Sequence, residues 1–510
     1  MSTPDLEPTH APERSPLRDL ALGGRSLRDA TARGTIVNGA FTVGLSTLGL
    51  VRGFLVAAFL TAADYGVWGI IVVAFGTLMW LKQVGVNDKY IQQEEGDQEA
   101  AFQRAFTLEL LVNALFLLLV LAAIPLVVLA YGRPEVIAPT LVLMLMLPAV
   151  VLQTPIWVFY RRMDFVRQRS LQAVEPIVAF AVTVACAIAG TGYWAFVVGG
   201  VAGAWAGALA ALLASPYRVR LRYDRGTLRE YLGFSGPLFF AGLSGTITAQ
   251  VAVFTANHAV GLAGVGAIAL ANVISDFAHR VDGIVTQTIY PAICAVQDRT
   301  ELLFETFVKS NRLTLMWAVP FGGAVALFAR DLVSYGIGEK WRPAVGIIEV
   351  LGVCAAINHI GFNWDAFFRA RSQTRPIAVA SAIGMAVFLV VPIPLLITDG
   401  LHGYAIGLLA VSGVALVLRG LYLARLFDGF DMARHALRAI APTLPAAAVV
   451  LAGRWLVDGR SLGRALIELA AYALVTVVAT FAFERDLLRE VSGYLRRAAP
   501  VGRAEPVQAA

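Results

Sequence analysis

The feature that most limits what this chain can fold into is a rhythm of apolar stretches, each roughly 18 to 28 residues long and so able to cross a hydrocarbon core about 30 Å thick. They fall at 34–60, 64–83, 105–130, 137–160, 171–190, 193–214, 233–258, 264–291, 310–330, 343–368, 377–398, 402–424, 439–457 and 463–483, fourteen in all. The loops between them are short and leave no room for a soluble catalytic module. With 58% hydrophobic and 15% charged residues and a mean hydropathy of +0.70, the composition lies well outside the soluble range. The fold class that follows is an all-α integral membrane protein of about fourteen transmembrane helices.

Basic residues test that count, because Lys and Arg collect in cytoplasmic loops. With the N-terminus taken as cytoplasmic, 32 of the 41 Lys and Arg fall on that side, 7 fall on the other, and only Arg52 and Arg280 are left inside spans. The alternation runs unbroken and predicts cytoplasmic termini. It also accounts for the net charge of +6 without nucleic acid, since the basic residues sit at the ends of apolar segments rather than on one polar face. Cys186, Cys294 and Cys354 stand at no metal-ligand spacing and indicate neither a disulfide framework nor a zinc site.

The chain divides into a polar tail (1–33) expected to be disordered, a first six-helix unit (34–214), a basic linker (215–232), a second six-helix unit (233–424), two further helices (425–484) and a second tail (485–510). An internal repeat supports the division. At an offset of 200, the turn Ala63-Asp64-Tyr65-Gly66 overlays Ala263-Gly264-Val265-Gly266, and Phe159 to Arg162 resembles Phe367 to Arg371 at about 208. Six helices is an even number, so both units start on the same side and are related by a pseudo-two-fold along the membrane normal. Transport sites lie between halves of this kind.

The eighth stretch departs most from plain hydrophobicity. Asn272, Asp276, His279, Arg280, Gly283 and Gln287 follow steps of three and four along one helical stripe, and Asp282 lies off it. A charge near the centre of a span costs roughly 2.5 to 3.5 kcal/mol on insertion scales, so such residues face protein or water rather than lipid. Either the stripe lines a wet cavity, or Asp276 and Arg280 neutralise one another inside a packed bundle. Arg52 in the first span either snorkels to the outer interface or points into that cavity, where its paired donors suit phosphate oxygens. Lys82 and Gln83 close the second span. Trp364, near Asn358, His359 and Asn363 in the tenth, would stack on a sugar or anchor the helix at the interface. His279 beside Asp276 and Asp282 has the makings of a proton relay. No nucleophile with its base, zinc motif or phosphate loop is present, so the chain reads as no enzyme and implies no cofactor.

The order of certain short motifs is familiar. Ala63-Asp64-Tyr65-Gly66, Val84-Gly85-Val86, Tyr90-Ile91-Gln92-Gln93, Arg161-Arg162-Met163-Asp164-Phe165, Tyr290-Pro291-Ala292, Pro320 and Gly338-Glu339-Lys340-Trp341 resemble, in this order and topology, the polysaccharide or O-antigen flippases of the Wzx type. The resemblance runs from about Arg28 to Arg485. It departs at Gln250, where relatives often carry an acid, and at Gly264 to Ala269, where they often carry a G-x-Y-x-x-A turn. It implies the multidrug, oligosaccharidyl-lipid and polysaccharide exporter fold, with two six-helix bundles around a central cavity.

The function it implies is transport of a polyprenyl-pyrophosphate-linked oligosaccharide across the bacterial inner membrane, for lipopolysaccharide or exopolysaccharide synthesis, by a monomer working beside glycan polymerase machinery. Arg52 and Arg280 would then hold the pyrophosphate, Asn272 and Trp364 would meet sugar, and Asp276, His279 and Asp282 would couple the cycle to an ion. A multidrug cation antiporter of the same superfamily is the alternative, though the first span carries Arg52 and no acid. A membrane glycosyltransferase or polymerase would need the large loop or catalytic acids that are absent.

Overall fold

The computed structural model describes residues 27–81, 86–93, 95–224, 226, 243–457 and 459–489. Most of the two expected tails, Lys82 and Gln83, residues 225 and 227–232 of the basic linker and the side chain of Gln287 lie outside the described residues. Every regular element among those described is helical. In chain order they are α1 (Leu27–Ala57), α2 (Ala62–Leu81), α3 (Val86–Gln92), α4 (Gln98–Tyr131), α5 (Ile137–Leu143), α6 (Met146–Leu152), α7 (Ile156–Arg161), α8 (Phe165–Ile188), α9 (Trp194–Ala214), α10 (Leu243–Ala259), α11 (Gly261–Ala295), α12 (Thr300–Asp331), α13 (Val345–His359), α14 (Trp364–Ala370), α15 (Arg375–Val390), α16 (Pro392–Leu426), α17 (Met432–Ile440), α18 (Leu444–Leu456) and α19 (Leu462–Phe483).

Eleven helical segments among the described residues are long and apolar enough to cross a membrane, and twelve if α17 and α18, bent by 52°, count as one. Fourteen is not reached by that measure: the seventh and eleventh stretches fall short and the thirteenth counts only as the bent pair, while the fourth and tenth count although each is broken. The seventh stretch is described only from Leu243, leaving 17 residues. The eleventh is interrupted because Pro392 has no N–H to donate to an earlier carbonyl, which leaves a helix of 16 residues, and the turn to the next span is made at Gly400 with φ of 63°. The fourth stretch, expected as one helix, is broken into α5, α6 and α7, since Pro148 and Pro155 each deprive an earlier carbonyl of its donor. In the tenth, Gly361 at φ 71° separates α13 from α14. The first tail was expected to be disordered to residue 33, but α1 already begins at Leu27. Leu27, Arg28 and Ala30 are strong helix formers and carry the helix on beyond the apolar run.

The chain forms two compact units, Met1–Leu48 with Ala74–Leu243, and Gly49–Val73 with Ser244–Ala510. The segment holding Arg52, Asp64 and Tyr65 therefore groups with the second unit, whereas the sequence division placed it with the first. In the first unit, Tyr90, Phe102, Ala105 and Val158 form one buried cluster, and Ala149, Ala204 and Ala208 form another. Close helix approach between α8 and α9 rests on glycine: a Cβ on Gly203 would sit 2.6 Å from the Glu175 carbonyl oxygen.

The segment Arg161-Arg162-Met163-Asp164-Phe165 is a corner. Arg161 donates to the Tyr90 and Ile91 carbonyls at 3.1 and 2.6 Å, and Met163 takes φ of 58°. Asp164 caps α8 by accepting from the Arg167 amide at 3.2 Å. The turn is closed by amides of Met163 and Asp164 donating to the carbonyls of Tyr160 and Phe159 at 3.0 and 2.9 Å. The second unit contains the same turn: Ser372, also at φ 58°, and Gln373 donate to Arg369 and Phe368, both at 2.9 Å. The repeat seen in the sequence is thus a repeat of local geometry, at an offset of 209.

The hairpin α18–α19 is fastened to α12 along its length. Near the end that the sequence places outside, Asp331 and Glu468, each 8% exposed, are held by three arginines. Arg454 reaches both acids at 3.2 and 3.0 Å, Arg460 pairs with both, and Arg464 lies 2.9 Å from Glu468. Midway, the Tyr472 hydroxyl donates to the Pro320 carbonyl at 2.8 Å beside the cluster of Phe328, Ala446 and Val450. At the opposite end Arg312 pairs with buried Glu484.

Candidate functional site

The polar helix α11 is set in place by the motif residues of α2. Thr61 and Asp64 cap α2 reciprocally: the Thr61 amide donates to the Asp64 carboxylate and the Asp64 amide to the Thr61 hydroxyl, both at 3.1 Å. Tyr65, buried, donates to the Gly53 carbonyl at 2.7 Å and so ties α2 to α1. Gly66 lies against α11 so closely that a Cβ there would fall 2.0 Å from the Leu262 carbonyl oxygen. Its repeat partner Gly266 returns the contact, with a Cβ position 1.9 Å from the Ala62 carbonyl oxygen.

The loop motif completes the corner. Trp341, 1% exposed, meets Tyr65 edge-on at 5.2 Å and donates to the Ala57 carbonyl at 2.8 Å, while Lys340 donates to Ala58 at 2.8 Å. These bonds satisfy carbonyls that the end of α1 leaves without helical donors. Trp341→Phe keeps most of the ring packing and removes the donor. It is expected to lower stability by about 1–3 kcal/mol, read from thermal unfolding of the purified protein in detergent.

Of the stripe on α11, Asn272, Asp276, His279 and Arg280 are all exposed, while Ala271, Ile274 and Ala278 on the opposite face are buried. Among the described residues no ion pair joins Asp276 to Arg280, so the reading in which they merely neutralise one another lacks its contact. Asp276 remains within electrostatic range of both Arg280 and His279. Arg52 is half-buried, one residue before Gly53, whose backbone packs on Val273 of α11. That packing brings Arg52 within electrostatic range of Arg280. Two cations, one on α1 and one on the exposed stripe of α11, thus lie within electrostatic range of one another.

Asp282 points elsewhere. Its Oδ1 lies 2.7 Å from Nε2 of His359, close enough for an ion pair but angled away from a hydrogen bond. His359 is 2% exposed, with Trp317 edge-on at 5.1 Å. Beside the pair is Arg419, 7% exposed, which donates to the Asn358 and Ile357 carbonyls and feels the charge of Asp282. The sequence count assigned Arg419 to a cytoplasmic loop. It lies buried within α16, and its place five residues before the expected end of span twelve was the available signal.

Asn311 was not singled out either. It donates to the His359 carbonyl at 2.9 Å and accepts from the Gly361 amide at 3.1 Å, closing the break between α13 and α14. Trp364 does not join the stripe: it is 9% exposed, stacked on Tyr422 at 5.5 Å and packed into the cluster of Phe367, Phe368 and Leu423.

The family model for polysaccharide biosynthesis proteins matches residues 55–346, more than half of the chain. An uncharacterized membrane protein in the cps region of Klebsiella pneumoniae is 23% identical over 282 residues, 54% of this chain and 58% of that protein, so the match spans less than two thirds of the relative's length. In fold, the chain is similar to the lipid II flippase MurJ in an inward closed conformation, with a TM-score of 0.69 at 14% identity over 89% of this chain and all of that one. It is also similar to an inward-facing multidrug resistance MATE family transporter, with a TM-score of 0.57 at 14% identity over 77% of this chain and 98% of that one. The chain belongs to the polysaccharide biosynthesis protein family, as a multi-pass membrane protein that shares its fold with the MurJ and MATE structures.

Proposed function

We propose that this protein moves a polyprenyl-pyrophosphate-linked oligosaccharide from the cytoplasmic to the outer leaflet of the bacterial inner membrane by alternating access, with both termini cytoplasmic. The observation that carries the reading is that Arg52, beside the packing of Gly53 on α11, lies within electrostatic range of Arg280 on the exposed stripe, with no ion pair to Arg280 among the described residues. Two like charges held together raise each other's energy, and a ligand with two adjacent negative groups relieves both. A pyrophosphate has that form. Asn272 and the exposed part of the stripe would meet the sugar, and the lipid tail would stay in the bilayer. Asp276, His279 and Asp282 would couple the cycle to an ion. Trp364 has no part in this reading because its ring is committed to the core. Organic cations, the cargo of a multidrug antiporter, would be repelled by the same two arginines.

The test replaces Arg52 and Arg280 together with Ala in a host that depends on this protein for surface glycan. Two charge-assisted contacts at roughly 1.5–3 kcal/mol each predict a fall in export of about a hundredfold or more, with the protein still folded in the membrane. A double Lys variant should recover part of the loss. Undiminished export by the Ala pair would remove the anion clamp.

A further inference from the structure

A shallow groove opens in the second unit between α12, α17, the bend that follows α17, and α19, apart from the stripe on α11. Its floor is apolar, with Leu315, Met316 and Pro320 of α12 running from Arg312 for about 12 Å along the helix. Its lip is cationic. Arg312 and Arg438 are both within electrostatic range of the His435 imidazole, so they converge on the same mouth. Glu484 answers Arg312, leaving two cations against one anion, and Arg438 stands exposed on α17. His435 is already committed. Asn311 has its amide fixed by His359 and Gly361, so its oxygen accepts from Nε2–H of His435 at 2.6 Å.

One group in the groove is unspent. Thr443 is 7% exposed, lines the groove, and its hydroxyl finds no hydrogen-bond partner among the described residues. A buried hydroxyl left unmatched costs free energy that a ligand acceptor would recover. Just outside, α17 bends by 52° into α18 and presents Leu437, 71% exposed, beside Arg434 and Arg438. That pattern suits a short helix lying in a membrane interface with its basic residues at headgroup level.

We propose that this groove is a binding site for one anionic glycerophospholipid of the leaflet beside α17. Its phosphate sits at Arg438 and Arg312, its ester carbonyl accepts from Thr443, and an acyl chain lies along Leu315, Met316 and Pro320. A polyprenyl pyrophosphate shares the phosphate and the tail but has no ester carbonyl to meet Thr443, and the ester decides the assignment.

The experiment uses the full chain in detergent, titrated with phosphatidylglycerol, phosphatidylcholine or a polyprenyl pyrophosphate, with bound lipid counted by native mass spectrometry. Phosphatidylglycerol is expected to bind at one site and in preference to phosphatidylcholine. Arg438→Gln and Thr443→Val should each weaken it about fivefold, the effect of one basic group or one hydrogen bond at a lipid headgroup. Arg438→Lys should keep most of the affinity. Equal binding of the two phospholipids, or affinity unmoved by either substitution, overturns the proposal. So does displacement of phosphatidylglycerol by one equivalent of polyprenyl pyrophosphate, which would give the groove to the transported lipid. If Thr443→Val fails to fold, Arg438→Gln at its exposed position decides alone. Loss of this site would leave the Arg52 and Arg280 result intact, so the two readings fail separately.

Discussion

Gly266→Ala is expected to cut the folded yield sharply and abolish transport, while Gly283→Ala on the same helix leaves both unchanged or slightly improved. The added methyl is the same in each, but its surroundings differ. At Gly266 it would lie 1.9 Å from the Ala62 carbonyl oxygen, and backbone of α2 cannot turn aside as a side chain could. The helices must part, losing the reciprocal contact at Gly66 and shifting the first turn of α2 against Tyr65 and Trp341. Overpacking of this severity costs upward of roughly 3 kcal/mol. At Gly283 nothing lies within 4 Å of the added carbon, and Ala in place of Gly favours a helix by up to about 1 kcal/mol. Equal behaviour of the two variants in size-exclusion and thermal-unfolding profiles would show that the α2–α11 crossing is looser than its geometry.

Glu468→Ala should have the next largest effect. Removing this buried carboxylate leaves Arg454, Arg460 and Arg464 with Asp331 alone, and three guanidinium groups repel one another beside a single acid. Breaking a buried pair costs roughly 3–5 kcal/mol, and the partial exposure of the arginines brings the expectation to about 2–4 kcal/mol. The loss should appear as earlier unfolding and as proteolytic release of the α18–α19 hairpin. Adding Arg454→Leu to the Glu468 change should recover part of it, since fewer cations then remain unmatched.

The apolar rhythm and the bias of basic residues made the helices and their membrane character legible, because length and hydrophobicity act within one segment. Breaks were less visible. Pro148 and Pro155 stood in plain view within the fourth stretch, yet hydropathy averages over them, and Gly361 looks like any other glycine in an apolar span. The stripe on α11 was legible since it depends on the spacing within one helix. What could not be read was pairing between helices. Asp282, His359 and Arg419 come from three elements, and nothing local in any of them announces the others. Trp364 illustrates the same limit: an indole suits a sugar, an interface or a core, and only the stacked Tyr422, on another helix, decides. The glycines at 66 and 266 were visible as a repeat but not as partners, because the chain shows an offset and not a crossing.

The clasp on Asp331 also has a time attached to it. Its partners Arg454 and Arg460 follow it by 123 and 129 residues in the chain. At synthesis rates of about 5–20 residues per second, that is a delay of roughly 6–25 seconds. For that interval the ninth span has entered the bilayer with a carboxylate whose counter-charges do not yet exist. The acid must wait at the outer surface, or in contact with the insertion machinery, until the last hairpin arrives to cover it. Assembly of the second unit is therefore completed from its far end, and the final two helices act as the closure of a fold begun long before them.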